Sequence, residues 1–302
     1  MKVTVVLPIY NGERTLSKTL DSLVAQSYKD FELIASIDGT NDGSEDILKR
    51  YKDKFLNLII LKNENNLGLG PNMNRLVANA TGDYIAVAEQ DDYYMPDRLD
   101  KQVKVLDTLT EIGMVSGIAE FCNGETVTTQ FPGILTSGIQ YPVGKEMFLL
   151  NYKHQIKVVN SCMMFRKQVH IDNGLYFTQH YPSISVDWTY VLRFSLVSQI
   201  YGIPDVLVKV DRAPDRDSVT SNKNKQFQAA RELIRSMAYE YPNIISKKDY
   251  KYAIRTELLL EWSHVYGIKF YIKGLWYSFY HNVDKRFVQK VFNRFKQQLN
   301  KR

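Results

Sequence analysis

Tyr84-Ile85-Ala86-Val87-Ala88-Glu89-Gln90-Asp91-Asp92 is an apolar run of strand type that delivers three carboxylates at its carboxyl end. Like charges this close repel and are costly to desolvate unless something positive lies between them. A hard divalent cation such as Mg²⁺ or Mn²⁺ takes oxygen ligands and meets that need. An ion held by one or two carboxylates completes its shell with water and substrate phosphates, so the stretch points to a phosphorylated substrate. Taken alone, it reads equally as a solvated acidic turn, with Pro96 opening the helix that follows.

Apolar runs at residues 3–8, 31–37 and 58–61 precede the run at 84–88, making four expected strands. Leu16, Leu20, Leu23 and Val24 are spaced for one face of a helix between the first two. Ser44-Glu45-Asp46 opens a second helix carrying Ile47, Leu48, Tyr51 and Phe55, its acids suited to a first turn. A third carries Leu76, Val77 and Ala80, and a fourth follows Pro96 with Leu99, Val103 and Leu106. Strict alternation of this kind predicts right-handed βαβ units and a parallel sheet. Ligands bind beyond the carboxyl ends of such strands, an edge that here holds Tyr10-Asn11, Asp38-Gly39 and Glu89 to Asp92.

With 302 residues the chain can bury a full core, and its ordinary apolar and charged fractions exclude wholesale disorder. Met1-Lys2-Val3-Thr4 runs straight into a strand, so no signal peptide is expected within this sequence. Cys122 and Cys162 are too few for a disulfide scaffold and have no metal-type spacing, so free thiols in a reducing cytoplasm are expected. The five histidines are scattered without a His-Glu-x-x-His pattern, which gives zinc no support. The middle of the chain, 113–220, reads as a continuation of the first domain, forming the acceptor side of a cleft. A polar run from Ser221 to Lys225 marks the expected boundary, giving a domain over 1–222 and a helical, basic-aromatic region over 223–302.

Four ordered segments resemble the family-2 inverting glycosyltransferases. They are Val5-Val6-Leu7-Pro8-Ile9-Tyr10-Asn11 with Glu13; Ile37-Asp38-Gly39-Thr40-Asn41-Asp42-Gly43-Ser44; Asn66-Leu67-Gly68 with Asn74 and Ala80-Thr81-Gly82-Asp83-Tyr84-Ile85; and Glu89-Gln90-Asp91-Asp92 ending in Met95-Pro96-Asp97-Arg98-Leu99. The resemblance implies the GT-A nucleotide-diphosphosugar fold, a Rossmann-like, mostly parallel sheet, here with a C-terminal helical extension. It implies that Asp38 accepts from the base of a nucleotide, most often uracil, and that Pro8, Tyr10 and Asn11 shape the base and ribose pocket, with Glu13 nearby. Asn74 belongs to the donor-binding set. Asp91 would lie by the ribose and the metal, with Asp92 the more direct metal ligand and Glu89 completing the acidic motif. The metal in similar enzymes is Mg²⁺ or Mn²⁺, which neutralises charge growing on the departing nucleoside diphosphate. The chain departs from the family pattern at Ile37, Met73, Glu89 and Val186, where Asp, Arg, Asp and Glu are usual.

An inverting transfer needs a carboxylate opposite the leaving phosphate to take the acceptor hydroxyl's proton. Asp187, in Ser185-Val186-Asp187-Trp188, stands where the family carries that base, although an N-cap aspartate would look the same. Arg212, and Arg216 in the segment Arg216-Asp217-Ser218-Val219-Thr220, resemble the family's diphosphate-closing segment. Gly68-Leu69-Gly70-Pro71 imitates part of a dinucleotide fingerprint, but Met73 replaces its third glycine.

The charge is uneven. From His264 to Arg302 nine Lys or Arg stand against one acid, Asp284, so the rest of the chain sums to about −2 within a total of +6. Phe287, Val288, Val291, Phe292, Phe295 and Leu299 form one helical stripe with basic flanks, and no apolar run is long enough to span a bilayer. This suits a helix lying on an anionic membrane, where a lipid-linked saccharide acceptor would be met from the cytoplasmic side. The alternative is a helix packed on its own domain with a solvated basic face. Nucleic-acid binding through the tail explains none of the four N-terminal segments, and no nucleic-acid partner is expected. A catalytically inactive nucleotide-sugar binder is a further alternative, given Ile37, Glu89 and Val186.

Overall fold

The computed structural model describes residues 1–178, 185–212, 223–265, 268–280 and 285–299. The chain forms two compact units, Met1–Ser221 and Asn222–Arg302.

The first unit opens with β1 (Val3–Ile9), α1 (Leu16–Val24), β2 (Phe31–Asp38), α2 (Ser44–Arg50), β3 (Leu58–Asn63), α3 (Leu69–Asn79) and β4 (Tyr84–Val87). It continues with β5 (Asp92–Tyr94), α4 (Arg98–Thr108), β6 (Ile112–Asn123), β7 (Thr126–Phe131), α5 (Gly133–Thr136) and α6 (Lys145–His154). β8 (Met164–Arg166), α7 (Lys167–Asp172), α8 (Val186–Val197) and β9 (Gln199–Asp211) complete it. Among the described residues one sheet runs in the order β3-β2-β1-β4-β8-β6-β9-β5, with β7 on β6. β1 pairs in parallel with β2 and β4, and β2 with β3, as the alternation predicts. Past β4 the sheet becomes mixed, because β8 runs antiparallel to both β4 and β6.

Alternate residues of the central strands feed two cores. Val5, Leu7, Leu33, Ala35 and Ala86 join Leu16, Leu20, Leu48 and Leu99 on one face, so α1, α2 and α4 lie there. Val6, Ile34, Ile85 and Val87 face Met73, Leu76, Tyr190 and Phe194, which puts α3 and α8 on the other. Burial on both faces is why these strands read as unbroken apolar runs rather than alternating ones. Leu16, Leu20 and Leu23 are wholly buried, each such side chain stabilising by about 1.5–3 kcal/mol.

The structure departs from the sequence reading immediately after the acidic motif. Residues 89–96 do not form a simple strand-to-helix turn: Asp92 opens β5, which pairs antiparallel with β9 through Asp92 opposite Val210. That pairing is long-range, and three residues carry no periodicity of their own.

The second unit is helical: α9 (Lys223–Glu240), α10 (Lys247–Ser263), α11 (Ile268–Tyr280) and α12 (Lys285–Leu299). Phe227, Ala230, Ile234 and Met237 form a buried stripe along α9. A capping box opens α10, with Ser246 Oγ accepting from Asp249 N and the Asp249 carboxylate accepting from Ser246 N. Trp262 stacks on Phe270 and Phe287 at 4.4 and 5.0 Å between ring centres, and its Nε1 donates to Phe270 O at 2.6 Å. Gly274 makes room for that stack, since a Cβ there would lie 2.7 Å from the Trp262 ring. Among the described residues no helix is long and apolar enough to cross a membrane.

Candidate active site

A cleft of about 440 Å³ opens at the carboxyl edge of β1 and β2. Pro8, Tyr10, Asn11 and Asp38, at the ends of β1 and β2, form a first wall, and Glu89, Asp91, Asp187 and Arg212 also line the cleft. Eight positions singled out from the sequence thus meet in one cavity, although they span some two hundred residues of chain.

The first wall is held by backbone geometry. Asn11 has a φ of 53°, a left-handed turn that asparagine tolerates better than most residues. Its Oδ1 accepts from Thr40 Oγ1 at 2.7 Å. Gly39, at φ 66°, lets the next loop lie against it, since a Cβ there would be 2.2 Å from Asn66 N. Asp38 is nearly buried, and its carboxylate accepts from Asn63 Nδ2, Leu67 N and Gly68 N at 2.8, 2.9 and 3.0 Å. A carboxylate offers about four acceptor positions, so one is left for a ligand. Gln90 ties this wall to the acidic motif, accepting from Tyr10 N and donating to Tyr10 O, both at 2.8 Å.

Glu89, Asp91 and Asp92 each bring a carboxylate oxygen to within 4.8 Å of the others. At an effective dielectric near 20, two unit charges at such a separation repel by roughly 3–4 kcal/mol. The set is all-oxygen and tightly grouped, which fits Mg²⁺ or Mn²⁺. Asp92 is completely buried and accepts from Ser161 Oγ, whereas Asp91 and Glu89 line the cleft. Asp92, expected to be the more direct ligand, thus lies deepest of the three, with Asp91 and Glu89 the more accessible carboxylates. Glu89 also accepts from Asn160 Nδ2 at 2.5 Å, and its backbone N donates to Tyr94 Oη at 2.6 Å. Behind the motif the fully buried Arg98 donates to Val87 O at 2.7 Å and lies 4.5 Å over the Tyr94 ring. Burial lowers the Arg98 pKa, and attraction to Tyr94, Cys162 and Asp92 works against that shift.

Asp187 sits in the first turn of α8, after Ser185 at φ 65°, and Ser185 rather than Asp187 is the N-cap residue. Its Oδ1 accepts from Trp188 N at 2.8 Å, and Trp188 Nε1 pins this end of the helix to Asn151 O at 3.1 Å. Burial raises the Asp187 pKa above its ordinary 3.8, with the Trp188 N–H offsetting part of the rise. Arg212 follows β9, two residues past the partner of Asp92, and its guanidinium lies 4.7 Å over the Phe121 ring.

Two predicted residues stand elsewhere. Asn74 does not line the cleft: its Nδ2 donates to Phe177 O at 2.9 Å and its Oδ1 accepts from Phe177 N at 2.8 Å, a structural clamp. Glu13 packs over Gly43 and donates from its backbone N to Asp42 at 2.9 Å, beside the cavity rather than in it. The segment from Arg216 to Thr220 lies outside the described residues. Asn72, Phe121, Phe131, Asn160 and Ser161 also line the cleft, and none of them stands in the four sequence segments. Asn160-Ser161 is a polar dip between Val158-Val159 and Met163-Met164, the one local sign that those side chains serve a buried polar site.

An α/β sheet with an acidic cluster and a ligand-sized cleft at the carboxyl edge of its strands is an architecture in which small ligands bind at that edge. Residues 4–174 match the family model for Glycosyl transferase family 2, and the chain belongs to that family. It is 34% identical over 184 residues to the putative glycosyltransferase EpsE of Bacillus subtilis, covering 58% of this chain and 66% of that relative, just under two thirds. It is 30% identical over 231 residues to an uncharacterized glycosyltransferase of Methanocaldococcus jannaschii, covering 74% and 75% of the two chains. The fold is similar to S. aureus TarS 1-349 in complex with UDP-GlcNAc, with a TM-score of 0.67 and 19% identity over 87% of this chain and 73% of that one. Mannosyltransferase PcManGT from Pyrobaculum calidifontis, in complex with GDP-Man and Mn2+, matches with a TM-score of 0.58 and 15% identity over 96% and 83%.

Proposed function

We propose that this chain is an inverting glycosyltransferase that moves a sugar from a UDP-sugar to a hydroxyl of a lipid-linked saccharide in surface-polysaccharide synthesis. The reading places it on the cytoplasmic face of a membrane. The observation that carries the transfer is the meeting of Asp38, Asp91 and Asp187 around one cleft. The UDP-GlcNAc complex of a protein sharing this fold supports the donor class.

In this reading Tyr10, Asn11 and the remaining acceptor position of Asp38 hold the nucleoside. Asp91, Glu89 and Asp92 would hold Mg²⁺ or Mn²⁺, which when bound would neutralise charge on the departing diphosphate. Arg212, steadied on Phe121, pairs with phosphate oxygens. Asp187 takes the proton of the acceptor hydroxyl as that oxygen attacks the anomeric carbon, on the face opposite the departing UDP. The nucleophile's O–H bond breaks, the new glycosidic bond forms, and the C–O bond to UDP breaks with its electrons leaving on phosphate. A raised pKa suits Asp187, because a base is most effective when its pKa nears the working pH. The test is UDP release from UDP-sugars, with Mn²⁺ or with chelator. Metal-dependent release stimulated by a saccharide acceptor is expected, and its absence across donors would overturn the reading in favour of a nucleotide-sugar binder.

A further inference from the structure

In the helical unit, α11 buries one face and exposes another that is equally apolar. Phe270, Gly274 and Tyr277, at positions i, i+4 and i+7, pack on Trp262 and satisfy the helix's need for an inner stripe. The outer face carries Tyr271, Ile272, Leu275 and Trp276 with no charged residue among them, and Ile272 and Leu275 are 58% and 73% exposed. α12 repeats the arrangement: Phe287 turns inward to stack on Trp262 and Tyr277, while Val288 and Phe292 are exposed, Phe292 at 62%. Packing on Trp262 explains the inner aromatic residues, and the exposed Ile272, Leu275, Val288 and Phe292 lie on the opposite side.

We propose that the outer faces of α11 and α12 dock the protein on an anionic lipid surface. The proposal rests on the membrane placement above for its purpose, while its observations are independent of the cleft. Charge selects the occupant. The surplus of eight basic residues falls in the segment that holds these two helices, and Lys269 and Lys285 are exposed there, so an acidic bilayer matches both the apolar face and its flanks. Tyr271 and Trp276 are the amphipathic rings that favour the headgroup level. A second copy of this chain would bring the same basic surplus against itself. Part of the aromatic tail is thus packed on its own unit, and the outer faces alone are assigned to lipid.

The test is sedimentation of the full chain with vesicles of phosphatidylcholine alone or containing phosphatidylglycerol. The wild type should pellet with the anionic vesicles and stay in solution with the neutral ones. Ile272→Glu with Leu275→Glu should lower partitioning by about tenfold or more, since both apolar side chains then resist the interface. Lys269→Gln with Lys285→Gln, which leaves the apolar packing untouched, should weaken anionic binding and flatten its salt dependence. Both variants should release UDP with a water-soluble acceptor as the wild type does. Equal pelleting of wild type and the Ile272/Leu275 variant, or equal binding to neutral vesicles, would overturn the proposal. So would light scattering that shows the wild type self-associating through this face and the variant not. Vesicle binding without UDP release in the wild type would count against the transfer reading and leave the docking surface standing.

Discussion

Asp187→Asn separates chemistry from architecture at a single atom. Its Oδ1 accepts from Trp188 N at 2.8 Å, and the Asn carbonyl oxygen can accept the same bond. The helix start is pinned through Trp188 Nε1 to Asn151 O, a contact that does not depend on the charge of Asp187. What disappears is the proton acceptor, and general-base catalysis typically contributes about 10²–10⁴-fold. At about 1.4 kcal/mol per tenfold, the barrier rises by roughly 3–5 kcal/mol. Stability should move the other way. Burial raises the folded-state pKa of Asp187, so the folded chain holds this proton more tightly than the unfolded chain does. Stability associated with the group therefore falls as pH rises through that pKa, and the ionised carboxylate costs stability at neutral pH. Asn never ionises, so its Tm should equal or exceed the wild type's. The same shift places the acid limb of the wild-type rate profile above pH 3.8, with activity falling as Asp187 gains its proton. The assay is initial-rate UDP release with donor binding measured alongside by titration. Activity within tenfold of the wild type would refute the assignment, and so would a loss of activity that tracks a loss of folding or donor affinity.

Two further outcomes are expected. Asp38→Ala strips the acceptor from Leu67 N, Gly68 N and Asn63 Nδ2, and should cost about 2–3 kcal/mol, read as a fall in Tm on the order of 5–10 °C; an unchanged Tm would mean that the loop is held by something else. Burial pushes the Cys162 thiol up to about 12, so native protein at pH 8 should label there only as fast as it unfolds; rapid labelling at Cys162 by mass spectrometry would contradict its enclosure.

The legible part of this molecule is the part built from local pattern. The β3-β2-β1-β4 half follows from apolar runs separated by helical stripes, and its carboxyl edge gathers Tyr10, Asn11, Asp38 and Asp91 as parallel topology requires. The other half resists because its strands are placed by distant partners. β8 is three residues long, inserted between β4 and β6, and it is the approach to β8 that brings Asn160 and Ser161 to the acidic motif across about 70 positions. Phe121 and Phe131 likewise reach the cleft only because β6 and β7 form a hairpin at its rim. Asn74 shows the limit of motif matching: the residue type is right, but both polar ends are spent on Phe177. That Asp92 lies buried while Asp91 lines the cleft follows from the pairing of β5 with β9, a long-range contact that local pattern does not show.

The claim beneath all of this is that a divalent ion at Glu89, Asp91 and Asp92 joins the chain to the diphosphate of its donor. A crystal of the chain soaked with UDP and Mn²⁺, read by manganese anomalous scattering, tests it most directly. A single peak bridging Asp91 and both phosphates is predicted, with the uracil against Tyr10 and Asp38 and with the peak lost in Asp91→Asn. UDP bound in this cleft with no manganese at the acidic motif, or manganese and UDP bound elsewhere, would contradict it.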